Sequence, residues 1–308
     1  MDTASMINHE TCRTCGLCGE VCPNRIIRRD DSNGMIFRAD RIQLCFQCGQ
    51  CMAVCPTKSI EVEGLSYSKD FSELPREASY ESAFASMIAT RRAVRNYKKK
   101  PVPRQLLDKV ARAIAYAPPS FPPIKTEIVV VQDPKIIRQA LPHMIEVFDF
   151  LVNSIDNPEL RPLIQARAGD KFRTVVNHVV PMMRIRLPDL KAGVEDTITR
   201  SAPAMIIFHA DKDAENYKED IYIALTYGLL AAHSLGLGAC AIDLIPPPIE
   251  RNQELRKMFS IPDGNEVVAS MILGFPKYKY QRAIQRRLKS VKWIQPGSSR
   301  MSVHELIH

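Results

Sequence analysis

Eight of the nine cysteines fall into two runs with the same spacing, and this spacing indicates one kind of chemistry. Each run reads C-x2-C-x2-C-x3-C-P, and the first cysteines of the two runs are Cys12 and Cys45. Three thiolates at such short intervals wrap a loop around one face of an iron–sulfur cube. Sites with four cysteines around zinc more often pair two C-x2-C knuckles across a longer gap, so the spacing disfavours zinc. The two runs are Cys12, Cys15, Cys18, Cys22 and Pro23, then Cys45, Cys48, Cys51, Cys55 and Pro56.

Over residues 1–65 this pattern resembles the bacterial ferredoxins that carry two [4Fe–4S] clusters. In that arrangement the fourth cysteine of each run ligates the cluster of the other run. The resemblance therefore predicts two crossed ligand sets. They are Cys12, Cys15, Cys18 and Cys55 for one cluster, and Cys45, Cys48, Cys51 and Cys22 for the other.

A group of arginines near residue 91 is the second feature that could do chemistry. Arg91, Arg92 and Arg95 lie close together in the chain, and guanidinium groups match the oxygens of a phosphate in bidentate fashion. Taken alone, the same residues could be the basic end of a helix, where cations are favoured by the dipole.

Four segments in a fixed order resemble the nitroreductase family, whose members bind FMN. The arginines belong to Arg91-Arg92-Ala93-Val94-Arg95, followed by Pro101-Val102; the other segments are Ala117-Pro118-Pro119-Ser120, Gly236-Leu237-Gly238-Ala239-Cys240 and Leu273-Gly274-Phe275-Pro276. Several ordered matches are far more specific than one motif. The resemblance covers nearly all of residues 81–308 and implies a flavin site. The implied FMN contacts are Arg91, Arg92, Ala93, Arg95, Pro119, Ser120, Ala241, Ile242, Asp243 and Arg282.

The chain departs from the family pattern at four positions. Ala93 replaces the usual serine, so one hydroxyl group is lost from the flavin site. Pro123 and Lys125 stand where the family often has asparagine and glutamine, and Leu244 stands where it often has glycine. A cation at Lys125 would stabilise an anionic reduced flavin.

Other residues with reactive side chains are better interpreted as structural. Cys240 has small apolar neighbours, which predicts a buried and inert thiol rather than a reactive one. His178, His209 and His233 could donate protons, but each lies in an apolar pattern that favours a structural role. No catalytic acid or base is identified.

The pattern of predicted helices and strands around these residues indicates an α+β protein of two domains. Asp31–Gly34 reads as a hairpin turn before a strand at 35–37. Helices are predicted at 83–89, 103–116 and 220–234, and strands at 127–132, 204–209, 239–244 and 266–273. The predicted organisation is a ferredoxin-like two-[4Fe–4S] domain at 1–65, a linker at 66–80, and a nitroreductase-like α+β sandwich domain at 81–308.

The composition is that of an ordinary globular protein with an uneven charge. The 308 residues carry a net charge of +8. Residues 1–65 hold seven basic and eight acidic residues, so the remainder carries +9. The basic residues are scattered and accompany no nucleic-acid-binding motif, so nucleic acid is not an expected partner. No membrane span and no signal peptide are predicted. A cytoplasmic location is expected, where thiolates stay reduced.

These features together predict an iron–sulfur flavoprotein oxidoreductase. Because no G-x-G-x-x-G follows a strand, no Rossmann nucleotide domain is indicated. We therefore expect an external low-potential donor such as a ferredoxin, two [4Fe–4S] clusters, FMN, and a small organic acceptor of the nitro, quinone or enone type. The apolar helix at 220–234 and the family resemblance predict a homodimer. The alternative is an electron-transfer relay between proteins, without a small-molecule substrate.

Overall fold

The N-terminal part of the chain forms a small module with its own core. The computed structural model describes residues 5–22, 24–45, 47–71, 80–278 and 288–293. The elements of the module are β1 (Met6–Ile7), α1 (Leu17–Glu20), β2 (Ile27–Arg29), β3 (Met35–Phe37), α2 (Gln50–Val54), β4 (Ile60–Glu61) and α3 (Tyr67–Asp70). Strand β1 pairs with β4 and β2 pairs with β3, both antiparallel. The predicted hairpin is confirmed, since its turn is closed by the Asp30 carboxylate, which accepts from Gly34 N–H at 2.7 Å.

The repeat in the cysteine spacing is also a repeat in the backbone. Residues with positive φ occur at equivalent positions in and just after the two cysteine runs, 33 residues apart. Residues other than glycine seldom adopt positive φ. The matching positions therefore indicate that both cysteine runs fold into the same loop. The pairs are Thr14 and Gln47, Gly16 and Gly49, and Arg25 and Lys58.

The structure differs from the predicted linker at its beginning. Helix α3 lies within residues 66–80, and the side chains of Tyr67 and Phe71 pack against the core of the N-terminal module. A Cβ atom on Gly49 would lie 3.1 Å from the Phe71 ring. Residues 66–71 therefore extend the first module, because their aromatic rings supply apolar area that a small core needs. The rest of the predicted linker lies mostly outside the described residues.

The remainder of the chain folds into a four-stranded antiparallel sheet with helices on both faces. The strand order is β5-β6-β8-β7. The elements are α4 (Tyr80–Thr90), α5 (Arg104–Ile114), β5 (Glu127–Val131), α6 (Pro134–Ser154), α7 (Leu160–Ala168), α8 (Phe172–Thr174), α9 (Val180–Lys191), β6 (Ala204–Asp211), α10 (Tyr217–Ser234), β7 (Gly238–Ala241), α11 (Pro246–Arg251), α12 (Gln253–Met258) and β8 (Asn265–Gly274).

Strand β6 shows why this sheet is covered on both sides. Every residue from Ala204 to Ala210 is buried. Successive side chains of a strand point to opposite faces: Met205 and Ile207 join one core with α6, α9 and α11, while Ile206 and Phe208 join the other with α5 and α10. The predicted α+β sandwich is confirmed. Among the described residues, no helix is both long enough and apolar enough to cross a membrane.

Candidate cluster cavities and flavin site

The eight cysteines of the two runs line two cavities in the N-terminal module. One, of about 340 Å³, is lined by Cys12, Cys15, Cys18 and Cys55. The other, of about 420 Å³, is lined by Cys22, Cys45, Cys48 and Cys51. We call them the first and second cysteine cavities. Each receives three cysteines from one run and the last cysteine of the other, so the structure brings together the residues of each predicted crossed set.

The sulfur atoms lie around these cavities instead of converging on one point. Among the described residues, no three His, Cys, Asp or Glu side chains lie close enough to hold a single metal ion. Apolar side chains complete the walls, including Met35 and Ile60 in the first cavity and Phe37 and Val62 in the second. Four thiols spread around an apolar hollow fit a polynuclear cluster better than a zinc ion, which needs its ligands about 2.3 Å from one centre.

Backbone N–H groups point at several of these sulfurs. Thr14 N–H donates to Cys12 Sγ at 3.4 Å, Ile26 N–H to Cys22 Sγ at 3.3 Å, and Ser59 N–H to Cys55 Sγ at 3.3 Å. Such bonds favour the negative charge of a cluster and its thiolates and so tune the reduction potential. Cys22 and Cys55 receive equivalent bonds, which again follows the repeat.

The cysteine pKa values reflect the same grouping. Burial, together with the nearby Cys45, Cys48 and Cys22, raises the pKa of Cys51 to about 12. Burial also raises the pKa of Cys18, with smaller effects from Cys12 and Cys15. At Cys55 burial acts in the same direction, but hydrogen bonds from Ser59 and Thr57 outweigh it and lower the pKa. Buried thiols of this kind become ligands only by exchanging the proton for a metal.

The predicted flavin segments meet at one end of the large sheet. Ala93 forms a parallel bridge with Ala239 of β7, and Val94 N–H donates to Ala239 C=O at 3.1 Å. Ala239 pairs with Leu273 of β8, and Leu273 pairs in turn with Ala204 of β6. Residues 93–94 therefore lie beside the ends of three strands.

Arginine side chains gather at this end of the sheet. The charges of Arg95, Arg200 and Arg91 all act on the Cys240 thiol, although burial dominates and raises its pKa. Arg95 Nη1 donates to the carbonyl of Ala93 at 3.3 Å. The structure thus brings the predicted Arg91 and Arg95 together and adds Arg200, which the sequence interpretation missed. The only local signal for Arg200 is its place just before strand β6, which does not distinguish it from other surface arginines.

Two of the predicted flavin contacts, Arg92 and Ile242, are hydrogen-bonded within the protein. Arg92 donates to the carbonyls of Ala89, at 2.9 Å, and Arg91, at 2.6 Å, so it caps the end of helix α4. Ile242 donates its N–H to Ser270 C=O at 3.1 Å and accepts at its own carbonyl from Ser270 Oγ at 2.7 Å. In the structure Ile242 therefore fixes the turn after β7, while the side chain of the adjacent Asp243 is exposed.

Pro119 and Ser120 lie apart from the arginines. The N–H and hydroxyl of Ser120 both donate to Asp220 Oδ1, at 2.9 and 2.7 Å. Pro119 and Asp220 line a separate cavity of about 480 Å³ beside α5 and α10. Lys125 is exposed. Arg282 lies outside the described residues.

Cys240, His209 and His233 have the surroundings of structural residues, whereas His178 does not. Cys240 is buried, and its thiol donates to the carbonyl of Ala241 at 3.1 Å. His209 is buried and hydrogen-bonded to Asn265 at 2.7 Å, and burial lowers its pKa. His233 Nε2 lies 2.8 Å from Thr90 Oγ1, and burial, followed by the charges of Arg91 and Arg92, lowers its pKa. His178 is exposed.

The close packing of the sheet end leads to a stability prediction at Gly274. A Cβ atom there would lie 2.7 Å from Cδ of Pro203 and 2.9 Å from Cδ1 of Tyr97. Overpacking of this kind costs about 1–3 kcal/mol, so we expect Gly274→Ala to lower the free energy of unfolding by that amount. Denaturant unfolding followed by circular dichroism measures it. In the control Gly264→Ala, the new Cβ meets no atom within 4 Å. Equal stability of the two variants would contradict the close approach.

Comparison with known proteins decides the family. Residues 88–275, more than half of the chain, match the nitroreductase family. The chain belongs to the nitroreductase family. It is therefore an FMN-dependent oxidoreductase, as the resemblance predicted. Residues 11–60 match the 4Fe-4S dicluster domain, so the predicted ferredoxin-type domain in front of the nitroreductase domain is confirmed.

The individual relatives are distant. A putative NADH dehydrogenase/NAD(P)H nitroreductase from Methanothermobacter thermautotrophicus is 25% identical over 193 residues, which cover 61% of this chain and 75% of the relative. A protein of the same description from Archaeoglobus fulgidus is 24% identical, covering 62% and 84%. The crystal structure of a nitroreductase with bound FMN from Desulfitobacterium hafniense superposes with a TM-score of 0.52 at 17% identity, covering 68% of this chain and 97% of that one. This structural likeness shows the fold.

Proposed function

We propose that this nitroreductase-family protein accepts single electrons from a low-potential donor such as a ferredoxin and delivers them in pairs to a small organic acceptor. The acceptor classes that we propose are nitro compounds, quinones and enones. When bound, two [4Fe–4S] clusters would supply one-electron steps and FMN would supply the two-electron chemistry. The observation that carries the proposal is the pair of four-cysteine cavities in the same chain as a nitroreductase domain.

The residues around the two cavities fit two clusters. Cys12, Cys15, Cys18 and Cys55 would ligate one, and Cys45, Cys48, Cys51 and Cys22 the other. Exposed arginines, among them Arg13, Arg25 and Arg28, surround the module. Positive charge near a cluster favours its reduced and more negative form. The same charges would attract an acidic carrier protein, because complementary potentials steer association.

The residues at the end of the sheet fit FMN. Arg91 and Arg95 supply positive charge for its phosphate dianion, and Ala93 leaves room beside β7 where the family usually has a serine. Asp243 lies two residues after the end of β7 and is exposed, which supports its backbone as a border of the isoalloxazine ring. The roles of these chain residues are to bind and orient the cofactor, and no proton-donating side chain is assigned.

An apolar surface formed by α4 and α10 supports a homodimer. Thr90 and His233 are hydrogen-bonded, so the two helices lie side by side. Helix α4 contributes no buried residue, and Phe84 and Ile88 on it are about half exposed. The outer face of α10 exposes Tyr222, Ile223 and Tyr227. Burial and then the Asp243 carboxylate raise the pKa of Tyr222, which supports a surface close to the proposed flavin segment. A dimer would also allow Pro119 and Ser120 of one protomer to border the flavin of its partner.

We expect Tyr227→Asp to convert the dimer largely to a monomer at micromolar concentration, because a charge buried in an interface is costly. Sedimentation velocity measures the change, and bound FMN should fall with it. Tyr116→Asp is the matched control, since Tyr116 is 74% exposed at the end of α5. A wild-type protein that is monomeric and yet holds stoichiometric FMN would refute the dimer.

The function is tested on anaerobically purified protein by iron, sulfide and flavin analysis, followed by reductive titration. We expect about eight iron atoms per chain, since each cube holds four, and one flavin. Cluster bleaching should be followed by flavin reduction and by turnover of an added acceptor. A protein without iron and flavin after reconstitution would refute the proposal. Reduction of both cofactors without turnover of any acceptor class would indicate the relay function.

A further inference from the structure

The loop at 195–201, just before strand β6, is held in shape by one carboxylate. Asp196 Oδ1 accepts from the N–H groups of Ile198, at 3.0 Å, and Thr199, at 2.8 Å. Its Oδ2 accepts from Ser201 N–H at 2.8 Å and from the Thr199 hydroxyl. Because these bonds occupy the carboxylate, Asp196 orders the loop and is not an ion-pair partner for Arg200.

The backbone of Arg200 is unusual for a residue with a side chain. Arg200 and Ser201 both have positive φ, 56° and 48°. Two successive left-handed residues other than glycine are uncommon, and such conformations concentrate at ligand-binding sites. Asp196 maintains this conformation through its bond to Ser201.

The packing of the next residues fixes where the loop lies. Pro203 packs against Gly274 of β8, which in turn touches the Tyr97 ring. The Tyr97 hydroxyl donates to the carbonyls of Val94, at 2.6 Å, and Ile272, at 3.3 Å. The loop therefore stands at the same end of the sheet as Arg91 and Arg95.

The charge of Arg200 is poorly compensated. Its nearest carboxylate belongs to Glu195, whose Oε1 is 3.7 Å from Nη1 and whose side chain is 60% exposed. The Arg200 side chain is only 22% exposed, and its Nε is buried without a hydrogen-bond partner among the described residues. Burial, followed by the charge of Arg186 on α9, lowers the pKa of Arg200, and Arg95 adds to this effect, while the carboxylates of Glu195 and Asp196 oppose it without outweighing it. Buried polar atoms are normally hydrogen-bonded, so a site of this kind is suited to a bound anion.

We propose that Arg200 binds the phosphate group of FMN together with Arg91 and Arg95. The inference rests on the proposed function. A phosphate dianion offers several acceptor oxygens in the geometry of the guanidinium fork, and it neutralises more positive charge than a carboxylate does. Arg186 on α9 strengthens the positive potential of this cluster. The loop at 195–201 would thereby join the flavin site.

The test compares FMN with riboflavin, which lacks the phosphate. Full-length, cluster-loaded protein is freed of bound flavin and titrated with each flavin while flavin fluorescence is recorded. A charge-assisted hydrogen bond contributes about 1.5–3 kcal/mol, so Arg200→Gln should weaken FMN binding roughly 10- to 100-fold. Riboflavin binding should be unchanged. Arg200→Lys, which keeps the charge, should lie between wild type and Arg200→Gln.

The control is Arg184→Gln on α9, because Arg184 is paired with Asp156; it should change neither affinity. Unchanged iron content and unfolding temperature show that the variants are folded. Equal weakening of FMN and riboflavin by Arg200→Gln, or no effect on either, would overturn the inference. Failure of the proposed function would show differently, as wild-type protein that binds no FMN.

Discussion

Cys22→Ala should lose the cluster of the second cysteine cavity and keep the cluster of the first. Cys22 belongs to the first run in sequence, but it lines the second cavity with Cys45, Cys48 and Cys51. Removing one of four thiolate ligands should empty that site, because the cluster is held by all four. We expect iron to fall from about eight to about four atoms per chain, measured by iron analysis and by electron paramagnetic resonance of the reduced protein.

Variants of cysteines that lie in the same run as the rest of their cavity test whether Cys22 and Cys55 each ligate the cluster of the other run. The spectrum of the cluster that remains in Cys22→Ala should match that of Cys48→Ala and differ from that of Cys15→Ala. The reciprocal variant Cys55→Ala should match Cys15→Ala, because Cys55 lines the first cavity. If Cys22→Ala instead matches Cys15→Ala, each run ligates its own cluster and the assignment from the cavities is wrong.

The local parts of both sites could be predicted from the sequence. The cysteine runs specify their loops almost entirely, since the positive-φ positions recur with the cysteines. Buried strands were predictable because β6 and β8 are apolar runs bounded by proline or glycine. Strand β6 covers Ala204–Asp211 where 204–209 was predicted, and β8 covers Asn265–Gly274 where 266–273 was predicted.

The sequence of residues 134–200 predicts a mostly helical segment, as found, but it does not predict the individual helices. Helices α6 and α9 each contain an internal proline, Pro142 and Pro188, and proline normally breaks a helix. A π-helical turn at Val175–Val179 shifts the helical periodicity just before α9. The pattern of apolar residues therefore follows no single period, and tertiary packing against the sheet decides the outcome.

Contacts between distant residues account for the part of the flavin site that could not be predicted. Arg200 lies near enough for the charge of Arg95 to act on it, because β6 pairs with β8 and residues 93–94 join β7. The hydroxyl of Ser120 donates to Asp220, one hundred positions later in the chain. The carbonyl of Ile242 accepts from the hydroxyl of Ser270. A motif specifies which residues are present, whereas the pairing of strands decides which of their groups remain available to a cofactor.

Loss of one cluster should slow turnover driven by a one-electron donor and spare turnover driven by a reductant that acts directly on the flavin. In Cys15→Ala, turnover of an acceptor driven by a one-electron donor such as reduced ferredoxin should fall on the order of a hundredfold or more, as when a group required for one step is removed. FMN content should stay near wild type, because the first cysteine cavity and the arginines at the sheet end lie on different elements. Turnover with a chemical reductant that acts directly on the flavin should persist.

Steady-state rates with both reductants, measured anaerobically on the same preparations, give the result as a ratio that does not depend on enzyme concentration. Cys240→Ala serves as the matched control. It also removes a thiol, but Cys240 is buried in the core of the sheet and lines neither cysteine cavity. Both of its rates should therefore remain near wild type. An equal fall of both rates in Cys15→Ala would point to general damage, and an unchanged ferredoxin-driven rate would mean that electrons reach the flavin without passing through the first cysteine cavity.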